Sequence, residues 1–173
     1  MYAGYGITTV QDGMVGKPLF QLLKYASETG RLKLDVAGYA DITTAAELPE
    51  EEPAYANRYC GRFKLGGYKI FLDGSPQGKT AWMTAPYEGD AGYCGYPVYT
   101  DGELEKYIGL ALDKKQQLLA HCNGDAAAEQ YIARFEKVLN ERKEKDLHRA
   151  VMVHAQLVRN DQLRRMAEIG MIP

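Results

Sequence analysis

The chain has 173 residues, of which 46% are hydrophobic and 25% charged, enough for one folded domain with a core of its own. A formal net charge of -2 gives no electrostatic reason to expect nucleic acid or an anionic membrane as partner. No apolar run approaches the roughly 20 residues that cross a bilayer. The opening "MYAGYGITTV" has neither a basic nor an apolar leader segment, so a cytoplasmic chain without signal peptide is expected.

In chain order, "GITTVQ" (Gly6 to Gln11) reads as a short β-branched strand. "KPLFQLLKYASETG" follows as a helix, with Pro18 in its first turn and Gly30 at its stop. Leu19, Leu22, Leu23 and Ala26 are expected to form its inner face. "LKLDVAGYA" (Leu32 to Ala40) is the second strand. Asp41 to Leu65 lacks a clear period and reads as an elaborated loop with room for a helical turn. "YKIFLD" is the third strand, and a long Gly, Pro and Tyr-rich excursion leads from it to "TDGE". There Thr100 and Glu103 form a capping box ahead of Leu104, Tyr107, Ile108, Ala111 and Leu112 at helical spacing. "QLLAH" (Gln117 to His121) is the fourth strand. Asp125 opens a helix carrying Ala128, Tyr131, Ile132, Phe135, Val138 and Leu139, and the run Asn140 to Asp146 is its solvated end. "RAVMVHAQ" (Arg149 to Gln156) is the fifth strand. Asn160 or Asp161 caps a last helix with Leu163 and Met166, and a sixth strand is due at "GMIP".

Strands alternating with helices predict an α/β fold with parallel strands and right-handed crossovers. The pattern leaves open a closed eight-stranded barrel and an open doubly wound sheet. In both, the functional edge lies at the carboxyl ends of the strands. Polar groups collect there: Gln11 and Asp12, Tyr39 and Asp41, Lys69 to Asp73, His121 to Asp125, and His154 to Gln156. Cys60, Cys94 and Cys122 neither pair by spacing nor form Cys-x-x-Cys, which points to free thiols and away from a cysteine metal site.

Lys69 is the odd residue of its strand, because alternation puts it on one face with Phe71 and Asp73. A lysine on an inner face must find a partner or lose its charge. Taken singly, a strand-end lysine reads as a snorkelling surface residue and a strand-end histidine as a hydrogen-bonding group. "NGD" and "DGS" read as turns. Their coincidence on one edge, with His121 and His154 ending successive strands, favours metal chemistry. His148 precedes its strand and is expected to be exposed.

"GITTVQDG", "KIFLDGSPQGKTAW", "HCNGDAA" and "VHAQ", in this order, resemble the metal-dependent amidohydrolases, in the branch of the N-substituted formamide deformylases. The resemblance runs through nearly the whole chain. It implies a partial (β/α)8 TIM-type barrel whose five strands are the second to sixth, residues 1–173 forming a single incomplete barrel domain. It implies that Lys69 becomes a carbamate which, with His121 and His154, binds a divalent metal such as zinc, one or two ions in the complete enzyme. A metal-activated water then cleaves an amide or related C–N bond of a small molecule. Asp73, Asp125 and Gln156 take supporting roles there: loop anchoring, helix capping and outer hydrogen bonds to the ligands. The family's first-strand His-x-His and eighth-strand aspartate have no counterpart, and Ala126 stands where relatives often carry arginine. The expectation is therefore an excised piece of a longer hydrolase, inactive alone and prone to self-association through exposed barrel edges. A non-catalytic structural fragment and a Schiff-base enzyme using Lys69 are the alternatives.

Overall fold

The computed structural model describes residues 1–143 and 149–173. His148 and the last part of the charged run, residues 144–146, lie outside the described residues. The chain divides into two compact units, Met1–Lys69 and Ile70–Pro173.

The first unit opens with a 3-10 turn, Tyr2–Tyr5, closed by Gly6 at φ 79°. Then come β1 (Thr9–Val15), α1 (Lys17–Glu28), β2 (Asp35–Asp41), the short helix α2 (Leu48–Glu51) and β3 (Phe63–Phe71), whose last two residues belong to the second unit. β2 pairs in parallel with β1 on one side and β3 on the other. β1 thus starts later than Gly6 and runs through "QDG", read above as the strand's end. The reason is a bulge: Asp12 pairs Gly38, but the next pair is Val15 with Ala40, so β1 carries one extra residue. A matching bulge lies between Gly38–Leu65 and Ala40–Tyr68, where Gly67 sits at φ 142°.

The inner face of α1 is also rotated from the expected leucine stripe. Phe20 is fully buried against Tyr55 and Phe63, with each pair of ring centroids 5.6 Å apart, while Leu22 is 60% exposed. One and two turns on, Lys24 binds Glu52 at 2.8 Å and Ser27 donates to the Cys60 carbonyl at 2.9 Å. The aromatic cluster therefore sets the helix rotation and leaves Leu22 on the outer side. Gly30, at φ 68°, ends the helix as expected.

In the second unit, the residue after β3, Leu72, donates its N–H to the His121 carbonyl at 3.0 Å and accepts from Val98 at 3.0 Å. The elements that follow are α3 (Asp101–Asp113), β4 (Leu118–Cys122), α4 (Asp125–Arg142), β5 (Val151–His154) and α5 (Asn160–Glu168). The capping box of α3 is formed, with Thr100 N–H donating to Glu103 at 2.9 Å. β4 and β5 are parallel, Leu119 facing Val151 and Cys122 facing His154. Ile172 bridges Val151 in parallel, where the sixth strand was expected. Leu104, Ile108, Tyr131, Phe135 and Met152 make the core of this unit, and Leu163 stays 39% exposed while Met166 is buried. α4 ends at Arg142, with its last residues exposed.

Parallel strands joined through helices in both units place the chain in the α/β class. The three cysteines are free thiols. No helix among the described residues is long and apolar enough to cross a membrane.

Candidate functional site

Lys69 closes the first unit. It is 4% exposed, faces Asp41 in the register of β2 and β3, and accepts at its carbonyl from Ile42 N–H at 3.2 Å. A Cβ added to Gly13, at the bulge of β1, would lie 3.8 Å from Lys69 Cε, so the lysine stem lies over bare backbone. The bulge and the glycine together make its place. Asp41 turns its carboxylate to its own loop, accepting from Thr43 N–H at 2.9 Å and from the Thr43 and Thr44 hydroxyls at 2.7 and 2.6 Å. Burial opposes its ionisation, but these donors outweigh burial and hold its carboxyl below the usual range.

In the second unit, the ends of β4 and β5 bring His121 and His154 together, with ring centroids 4.7 Å apart and planes at 81°. The Phe71 ring lies 4.8 Å from His121. The His121 Nε2 meets the Gly74 carbonyl at 2.9 Å, Asp73 Oδ1 at 3.5 Å and Asn123 Nδ2 at 3.1 Å. A proton on Nε2 would satisfy the two oxygen acceptors and leave the lone pair on Nδ1, and the Asn123 amide already donates to the Gly74 carbonyl. Metal-ligating histidines are oriented in this way, through a hydrogen bond from the nitrogen that does not bind. His154 is exposed and has φ 75°, followed by Ala155 at φ 47°, two successive side-chain-bearing residues in left-handed backbone.

Asp73, expected to anchor a loop, gathers three backbone donors onto one buried carboxylate. Asn123 N–H reaches Oδ1 at 2.9 Å, while Gly124 and Trp82 N–H reach Oδ2 at 2.7 and 3.1 Å. These bonds hold the Ser75–Thr84 loop against the end of β4. Trp82 also accepts at its carbonyl from Ala126 and Ala127 N–H, at 3.2 and 3.4 Å, in the first turn of α4. Asp125 departs from its expected role. Gly124 is the N-cap and makes no side-chain cap, and the Asp125 carboxylate binds outward instead. It accepts from Thr84 N–H at 2.8 Å, from the Thr84 hydroxyl, and from Arg159 Nη1 at 3.1 Å. Burial opposes its ionisation, yet Thr84 and Arg159 hold its carboxyl below the usual range. Gln156 is exposed beside the strand end.

Thr84, Asn123 and Arg159 were not singled out from the sequence. Asn123 donates its side-chain N–H to the Gly74 carbonyl at 2.8 Å and accepts at its carbonyl from Leu157 N–H at 3.0 Å. Its place within "HCNGDAA" was the available signal. Thr84 and Arg159 meet Asp125 across 41 and 34 residues of chain, and no local pattern marks such pairs.

Among the described residues no three His, Cys, Asp or Glu side chains converge on a metal position. What the second unit offers is a pair of imidazoles, one held through its Nε2. Two neutral imidazoles suit zinc, and an oxygen donor from elsewhere would have to complete the set.

The profile of the amidohydrolase family matches residues 1–173. YtcJ of Bacillus subtilis (strain 168), which carries the provisional name of an amidohydrolase, is 33% identical over 109 residues, 61% of this chain and 19% of its own length. A solved structure from Pyrococcus furiosus, described as an uncharacterized metal-dependent hydrolase, superimposes with a TM-score of 0.76 at 26% identity, over 96% of this chain and 34% of that one. Another with the same description, from Pyrococcus horikoshii OT3, gives 0.75 at 24% identity over 97% of this chain and 33% of that one, a likeness of fold. The chain thus spans about a third of the solved structures and a fifth of YtcJ. The fold is that of part of a TIM-type barrel.

Proposed function

The chain belongs to the amidohydrolase family, and on that footing we propose that it is a segment of a metal-dependent hydrolase of amide or related C–N bonds. The motif resemblance to N-substituted formamide deformylases supports that branch. In this reading Lys69, carboxylated to a carbamate, and His121 and His154 hold a divalent cation, with zinc the best fit to two imidazoles and an oxygen donor.

The observation that carries the reading is the imidazole pair, 4.7 Å between centroids, with His121 Nε2 set against the Gly74 carbonyl. With the proton on Nε2 in that bond, the other ring nitrogen, Nδ1, would be the electron-pair donor. Lys69 adds a buried amine, and an amine is cheaper to keep uncharged under burial than as an ammonium. A bound cation would supply Lewis acidity toward a substrate carbonyl and would acidify water. The chain's own residues do the rest. His121 is oriented by the Gly74 carbonyl and the Asp73 charge, and Asp73 holds the loop that borders the pair. No general base of the family's kind is found in the sequence, so the isolated chain is expected to hydrolyse no simple amide.

Lys69 gives the test. With 13C-bicarbonate and Zn2+, the chain is expected to show a protein-bound carbamate resonance that Lys69→Arg abolishes. Zn2+ uptake indifferent both to bicarbonate and to Lys69→Arg would remove the carbamate from the account.

A further inference from the structure

The loop after β5 is attached at two points, to the residue before the N-cap of α4 and to α4 itself. Leu157 N–H donates to the Asn123 carbonyl at 3.0 Å, and Arg159 binds Asp125 at 3.1 Å and Glu129 at 3.2 Å. Just before these attachments lie His154, the last residue of β5, and Ala155, both left-handed. A side-chain-bearing residue keeps such a conformation only where its surroundings over-determine it. His154 is paired with Cys122 on one side of these two residues, and the two attachments hold the chain on the other. The Asp125 oxygen that takes Arg159 Nη1 also takes the Thr84 hydroxyl, and its other oxygen takes Thr84 N–H. Thr84 lies two residues beyond Trp82, whose carbonyl rests on Ala126 and Ala127 N–H. One carboxylate in the first turn of α4 therefore serves two loops, one carrying Trp82 and one that follows His154.

We propose that Asp125 and Arg159 are positioning residues that fix the Trp82–Thr84 segment and His154 together, as one unit, on the first turn of α4. Arg159 spans from Asp125 to Glu129. Its fork also binds Asp161 at 3.1 Å, and Gln162 Nε2 holds the Asp125 carbonyl at 2.8 Å, so the guanidinium and the backbone of its partner are each held by a second residue. Releasing it frees residues 154–155 to leave the left-handed region and frees Thr84 from α4 in the same event. The chemical consequence, a displaced His154, rests on the reading of that histidine as a ligand. The coupling itself does not.

The test is amide hydrogen exchange on the 173-residue chain, with emission of Trp82, its sole tryptophan, as a second readout. In Arg159→Met the amides of Thr84 and Leu157 are expected to exchange about tenfold faster, the factor set by loss of one charge-assisted hydrogen bond. Trp82 emission shifts to the red, and the core amides of Tyr131 and Phe135 keep their protection. Arg159→Lys, which restores the charge, recovers part of the Thr84 protection. A purely structural arginine would lower all α4 amides alike, and that result overturns the proposal, as does unchanged exchange at Thr84. Should Arg159→Met not fold, Thr84→Val serves instead. Loss of the hydroxyl bond must then accelerate Leu157, across the carboxylate, and an effect confined to Thr84 refutes the coupling. If the amides uncouple as expected and the wild-type chain binds no Co2+, the coupling stands and the metal reading falls.

Discussion

Replacing Asp73 by alanine is expected to destabilise the second unit by about 3 to 5 kcal/mol, among the largest losses available to a single substitution in this chain. The carboxylate is buried and accepts from Trp82, Asn123 and Gly124 N–H. Alanine leaves all three donors facing a cavity. Each buried orphan costs about 1 to 3 kcal/mol, and the sum is tempered because the loop can lift Trp82 N–H into water. Asp73→Asn keeps one acceptor oxygen and should cost roughly half as much. Urea unfolding followed by circular dichroism measures both. An alanine variant within about 1 kcal/mol of wild type would show that the three donors find other partners.

Gly124→Ala is expected to cost about 3 kcal/mol by overpacking. The backbone at Gly124, φ -78° and ψ 150°, suits alanine, so conformation is not the obstacle. Space is: the new Cβ would lie 1.8 Å from the Trp82 carbonyl oxygen and 2.8 Å from its nitrogen. That backbone cannot retreat without breaking its bonds to Asp73, Ala126 and Ala127. Gly102→Ala in α3 is the control, since nothing lies within 4 Å of its added Cβ. It should be neutral or slightly stabilising, because alanine is the better helix former. Equal effects at the two glycines, read from thermal midpoints, would refute the steric account.

The alternation of strands and helices was legible because each element carries its own short-range signal. The Thr100–Glu103 box and the Gly30 stop are local devices and formed as read. The bulges at Gly13 and at Gly66–Gly67 were not legible, since a bulge is defined by a partner strand many residues away. The rotation of α1 escaped for the same reason. Phe20 turns inward because Tyr55 and Phe63 wait there, and no helical periodicity reveals a partner in another element. The candidate site divides likewise. His121 and His154 could be placed on one edge because each lies at the carboxyl end of a strand, but the register sets His121 opposite Val153, and the left-handed backbone at His154, where the two rings meet at 4.7 Å, has no signal in the spacing. The Asp125–Arg159 pair could not, because two side chains facing across separate loops leave no trace in spacing.

The central claim, that His121 and His154 are donors to one cation, is tested most directly by calorimetric titration of the 173-residue chain with Zn2+ in bicarbonate buffer. The account predicts a single binding event weakened about tenfold or more by His121→Ala and by His154→Ala alike, since outer partners of a ligand alone are worth that much. His148→Ala, removing the third histidine, should leave it unchanged. Binding that survives both strand-end substitutions, or that is lost equally with His148, would contradict it.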